Sequence, residues 1–193
     1  MIEIGSCENW VDGAVKVLRD EINLLEQGPI ARKIGCWNIA FSALHQEAPN
    51  IKAAITKAMD RPDQSIYIME LKQPDQARLV RKLFRKLKDE KKEDRLPLDN
   101  KNAPDDSLCL YIGSSYSTKK RYQTLAGRIM QHLTGAPRGT YALKLATWAS
   151  DIPGDLVLRA FQFDDTISHS TLLALEDYLS RTHEPLFGRR GKR

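Results

Sequence analysis

Cysteine is scarce in this chain. Cys7, Cys36 and Cys109 are the three present in 193 residues, far apart, with no CxxC pair and no histidine at zinc-ligand spacing. That argues against a disulfide framework or a structural zinc and fits a reducing compartment. The opening "MIEIGSCENWVDG" has neither the basic nor the apolar region of a signal peptide, and no apolar run is long enough to span a bilayer. A cytoplasmic location is the expectation, and no internal repeat is present. What the chain does have is 41% apolar and 28% charged residues, enough for a real core in one medium domain, or in one domain with a small helical attachment.

The formal net charge is +5, which favours a polyanion partner. The cations are clustered. Residues 78–92, "RLVRKLFRKLKDEKK", carry eight Lys or Arg against two acids, and four of the last five residues are basic. A single basic run is most often a solvated face. Two runs plus Lys119-Lys120-Arg121 turn the balance towards nucleic acid, with Arg81, Arg85, Lys88, Arg189 and Arg190 as the other candidate contacts.

Apolar spacing predicts helices over residues 7–60. Val11, Val15, Leu18, Ile22 and Leu25 form one stripe, and Ile34, Trp37, Phe41 and Leu44 a second, with "NIKAAITKAMD" as a third segment. His45 and Trp10, Trp37 and Trp148 read as packing residues. From Arg61-Pro62-Asp63 the character changes. "SIYIMEL" (65–71) predicts a strand with Tyr67, Met69 and Leu71 on one face, and 75–91 a helix striped by Leu79, Leu83, Phe84 and Leu87. A loop over 95–107 leads to a strand at 108–113 and a helix over 122–134. Residues 140–150 lean to helix, 156–165 predict a third strand and 170–183 a last helix. The expected class is α+β, helices against a small sheet.

Several polar residues stand where a core is expected. At 100° per residue Glu176 falls inside the stripe of Leu172, Leu175 and Leu179, while Asp177 faces away. A carboxylate there is salt-bridged or binds a metal. Arg128 and His132 lie one turn apart on the flank of a helix whose buried face is Leu125, Ile129 and Leu133. A fixed cation beside a proton-handling imidazole suits a phosphate site; the plainer reading is a locally paired Arg and a bystander His. Tyr67 and Tyr111 share one surface if their strands pair, and Gly113 ends a strand where backbone approaches closely.

With "SIY" at 65–67, "YIG" at 111–113, "LAGRIMQHL", Glu176 in "LALEDYL" and "EPLFG" near the end, residues 65–191 resemble the GIY-YIG nucleases. The resemblance implies a three-stranded antiparallel sheet flanked by helices. It divides the chain into a helical N-terminal extension, 1–62, and a nuclease domain, 63–193. The 43 residues between Tyr67 and Tyr111 then hold a basic helical insertion at about 74–106, over the DNA channel. It also implies roles: Tyr67 or Tyr111 activates water, Tyr67 being favoured, with His132 assisting. Arg128 holds the scissile phosphate, and Glu176 binds one Mg²⁺ or Mn²⁺. The implied partner is DNA, with RNA the alternative, and the size resembles that of dimeric restriction enzymes of this family. Repair or defence nucleases fit as well. The rival class is a nucleic-acid-binding or interaction module of the same fold without turnover.

Overall fold

Backbone pairing defines the strands. In the computed structural model, residues 7–26, 31–59, 64–90, 95–116, 124–135, 141–163 and 167–188 are described. Strands β1 (Ala31–Ala40), β2 (Gln64–Leu71), β3 (Cys109–Tyr116) and β4 (Asp155–Phe163) form one sheet in the order β1-β4-β2-β3, every pair antiparallel. The helices are α1 (Cys7–Glu26), α2 (Leu44–Ala58), α3 (Pro74–Asp89), α4 (Leu125–Thr134) and α5 (His169–His183). The α+β class stands, with four strands in place of three.

The added strand is β1, which corrects the helix expected over residues 30–46. The period of 3.6 there is stitched together from three elements. Ile34 and Trp37 belong to a strand with a bulge between Lys33 and Gly35, Phe41 to a single 3-10 turn, and Leu44 to α2. Past the bulge Trp37 and Ile39 turn inward while Cys36 and Asn38 stay outside the core. Residues 31–58 are therefore not a helical appendage: β1 hydrogen-bonds along β4, and α2 packs on α4. The helix expected over 140–150 reduces to one 3-10 turn, Leu145–Thr147, because Lys144 adopts a left-handed conformation (φ 53, ψ 42) that no α-helix continues through.

Opposed residues of paired strands share a face. Tyr67 opposes Gly113 and Met69 opposes Tyr111, so both tyrosines lie on the face packed against the larger core, which takes in Ile51 and Ile55 of α2, Val80 and Phe84 of α3, and Ile129 and Leu133 of α4. Ile66 and Ile112 face the other way, onto Leu172, Leu175 and Leu179 of α5. The stripe of α5 is thus its packing face. Among the described residues, no helix is long and apolar enough to cross a membrane.

α3 begins with Pro74 in its first turn, where a missing N–H costs nothing. Its inward face carries Ala77, Val80 and Phe84, and also Arg81. That overturns Arg81 as a nucleic-acid contact, since its side chain is 2% exposed. Nε donates to Asp99 Oδ1 (3.0 Å), Nη1 to Ala103 O (2.7 Å) and Asp105 Oδ1 (2.8 Å), and Nη2 to Asn100 O (2.5 Å). Arg85 is half-exposed, but its Nε is committed to the other oxygen of Asp99 at 2.8 Å. Lys88 is exposed. α3 is a wall of the core and not a free cover.

The loop that Arg81 gathers clamps the segment after α5. Asn100 N donates to Leu186 O (2.9 Å) and Asn100 Nδ2 to Pro185 O (3.0 Å), while Leu186 N and Phe187 N donate to Cys109 O and Leu110 O on the outer edge of β3. Phe187 then packs on Phe84, ring centroids 4.1 Å apart.

Candidate active site

The site collects where β2 and β3 run side by side. Tyr67 is fully buried, and its ring lies over Gly113 of the neighbouring strand. A Cβ at 113 would come within 2.5 Å of Tyr67 Oη and 2.9 Å of the Tyr111 ring. Gly113 is therefore required for space, since the phenol oxygen occupies the place of a side chain. Tyr111, 9% exposed, stacks on Tyr67 with centroids 6.1 Å apart and an interplanar angle of 22°. The two phenols do meet on one surface, as the strand pairing required.

α4 brings the imidazole. Thr124 caps its start by accepting from Gly127 N at 3.2 Å, and Gly135 (φ 79) ends it left-handed. Between these caps His132 is buried, 2% exposed, and not on the flank of the apolar face as its position in the helix suggested. Its ring centre lies 4.2 Å from that of Tyr111, and its Nε2 lies 3.0 Å from Tyr67 Oη.

The tautomer follows from the other nitrogen. The Leu143 N–H donates to His132 Nδ1 at 3.2 Å, so Nδ1 is the acceptor. Burial, with help from the nearby Arg128 cation, pulls the His132 pKa down to about 3, so the ring is neutral and carries its single proton on Nε2. His132 is thus a donor to the Tyr67 oxygen and not a base for its proton.

Arg128 lies one turn before His132. The Tyr67 phenol raises its pKa most, burial works against that, and Tyr111 and Glu176 add to the rise, so it is a permanent cation. Its Nε is buried without a hydrogen-bond partner. A charged donor left open costs stability unless it serves a ligand.

Tyr67 is subject to opposing effects. Burial raises its pKa most and Glu176 raises it further, whereas Arg128 and Tyr111 lower it; the net direction is upward from 10.0. The residue rests as a phenol in surroundings that already hold two donors for a phenolate, Arg128 and His132.

Glu176 reaches the same edge from α5. Ser168 caps that helix, accepting from Thr171 N at 3.1 Å, and Asp177 faces outward to Arg181 at 2.6 Å. The Glu176 carboxylate accepts from the Ser114 hydroxyl, and its charge is felt by both Tyr67 and Arg128. Among the described residues, no group of three or more His, Cys, Asp or Glu gathers to hold a metal. A divalent ion at Glu176 would have one protein carboxylate, with phosphate oxygens and water completing its shell. That is the habit of Mg²⁺ and unlike that of zinc.

The structure therefore brings together Tyr67, Tyr111, Arg128, His132 and Glu176, drawn from two strands and two helices. It separates them from Arg81, which is an anchor. Lys119, Lys120, Arg121, Arg189 and Arg190 lie outside the described residues. Ser114 is a site residue that the sequence pattern does not mark, although it directly follows Gly113. Opposite Ile66, it faces α5 and so meets Glu176. Leu143 acts through its backbone amide and leaves no signal in side-chain chemistry.

Comparisons with protein-family models, with curated proteins and with solved structures returned no match.

Proposed function

We propose that this site hydrolyses phosphodiesters, and that the chain is a metal-dependent DNA endonuclease of the GIY-YIG type. The observation that carries the reading is the Tyr67 oxygen, buried beside Gly113, accepting a hydrogen bond from neutral His132 and flanked by Arg128 with an open Nε. A packing tyrosine needs one partner at its wet tip; this one has donors suited to a phenolate.

In this mechanism the partly exposed Arg128 guanidinium binds a non-bridging oxygen of the scissile phosphate. Its charge is worth most as negative charge builds on the phosphate. Tyr67, as phenolate held by His132 Nε2–H and Arg128, takes one proton from water while that water attacks phosphorus. The P–O bond to the 3′ oxygen breaks, and the leaving oxygen takes a proton from solvent. Tyr111 stacks over Tyr67 and shields it. A divalent cation on Glu176, Mg²⁺ or Mn²⁺, would supply Lewis-acid stabilisation of the leaving oxygen and offset the carboxylate that opposes Tyr67 ionisation.

DNA is the proposed substrate on the strength of net charge +5 and the clustered cations. The test is cleavage of supercoiled and linear DNA with Mg²⁺ or Mn²⁺ by wild type and Glu176→Ala. Cutting by wild type and loss in the variant is expected. Cutting by both would remove Glu176 from the mechanism. Cutting by neither, with salt-sensitive DNA binding intact, would favour a binding module of the same fold.

A further inference from the structure

His132 is held by a stretch of chain whose own backbone is strained. Its Nδ1 partner, the Leu143 amide, precedes Lys144, which sits at φ 53 although it is not glycine. Such a conformation is disfavoured for a non-glycine residue and persists only where the surroundings impose it. Four contacts impose it here. Thr147 Oγ1 and Thr147 N both donate to Lys144 O, at 2.8 and 3.0 Å. The Lys144 stem lies against Gly135, where a Cβ would sit 3.2 Å from its Cγ, just past the turn that carries His132. Trp148 Nε1 donates to Leu143 O at 2.7 Å, the shortest of the group, while its ring meets Phe84 edge-on with centroids 5.7 Å apart.

Leu143 is thus held from both sides. Its carbonyl is tied to the indole and its amide to the imidazole. Packing, the role that the sequence suggests for Trp148, accounts for its ring but not for its N–H.

We propose that Trp148 is a positioning residue for the candidate active site: by tying down the Leu143 carbonyl it keeps the Leu143 amide on His132 Nδ1, and so keeps the imidazole proton on Nε2, facing Tyr67. If Leu143 turns away, Nδ1 can take the proton and Nε2 becomes an acceptor. The phenolate then loses a donor, and the neutral phenol is favoured by donating to Nε2. The catalytic consequence rests on the nuclease reading; the tautomer does not.

The test begins with the wild type. ¹⁵N NMR of the imidazoles should show His132 as a single Nε2–H tautomer, and the Trp148 indole proton should exchange slowly. An Nδ1–H wild type, or a fast-exchanging indole, overturns the proposal whatever the variants do. Trp148→Phe then keeps a ring against Phe84 and removes the N–H. It should fold, show a second population with the proton on Nδ1, and lose about tenfold in kcat with KM unchanged. A folded Trp148→Phe with a single Nε2–H tautomer and unaltered kcat contradicts it. A wild type that holds the Nε2–H tautomer and slow indole exchange but cuts no DNA would support the positioning and overturn the nuclease reading, so the two failures are distinct.

Discussion

At the scale of residues, the site depends on a few close approaches. Gly113 is the sharpest case. Its backbone needs no unusual dihedral; what it needs is absence, because Tyr67 Oη fills the position of a Cβ. Gly113→Ala must push the Tyr67 and Tyr111 rings apart. Overpacking of this kind costs about 1–3 kcal/mol, and a shift of about 1 Å in a reacting group costs about 10²-fold in rate. The variant should fold with a modestly lowered Tm and lose cleavage by about that factor; wild-type cleavage would show that the Tyr67 position is not critical. Much of this constellation was legible in the sequence, because strand alternation and the four-residue step from Arg128 to His132 carry face information. What was not legible is the direction of the hydrogen bond at His132. It is set by the Leu143 amide, eleven positions away, and a backbone group leaves no trace in the pattern of side chains.

At the scale of elements, α3 shows how a correct assignment can mislead about role. Its helical span and apolar stripe follow from the sequence, and its basic composition suggests a phosphate-binding face. One of those cations is instead turned inward, where Arg81 gathers the loop from Asp99 to Asp105. Sequence could not reveal this, since the acids that receive it lie 18 and 24 residues further on. Arg81→Gln removes one of the two arginines on Asp99 and the donors to Asn100 O and Ala103 O, and should cost about 1–3 kcal/mol, seen as a fall in urea midpoint, while leaving the salt dependence of DNA binding unchanged. Lys82 and Lys88 are exposed on α3. Replacing both with Ala should flatten the slope of log K against log salt by about 0.9 for each phosphate no longer neutralised, with little change in stability. A flattened slope in Arg81→Gln and none in the lysine variant would reverse this assignment. β1 teaches the opposite lesson. There the element itself is hidden, because a bulge and two element junctions reproduce helical spacing by accident.

At the scale of the whole molecule, the boundary drawn at residue 62 does not separate a folding unit. Ile39 of β1 and Leu44, Ala48, Ile51 and Ile55 of α2 belong to the same core as Tyr67, Ile129 and Leu158. Deleting residues 1–62 would expose that apolar face and strip one of its two partners from β4. The fragment 63–193 should be insoluble or unfolded by circular dichroism; a folded, cleaving fragment would contradict the single shared core. The same architecture explains why the site forms at the β2–β3 edge of the sheet. β2 and β3 present the tyrosines, α4 delivers Arg128 and His132 from one face, and α5 delivers Glu176 from the other.

The most direct test of the account is the single-turnover rate of DNA cleavage, measured against pH for the wild type and Tyr67→Phe. Burial holds the Tyr67 pKa above its ordinary value, so the phenolate fraction rises about tenfold per pH unit below it. The wild-type rate should climb through about pH 7–9 without a break near 6.5, the ordinary histidine value, because His132 stays neutral with a pKa of about 3. Tyr67→Phe should lose about 10²-fold or more and with it the alkaline climb. Equal rates in the two proteins, or a wild-type profile governed by a group titrating near that ordinary histidine value, would contradict a tyrosine base held by a neutral histidine.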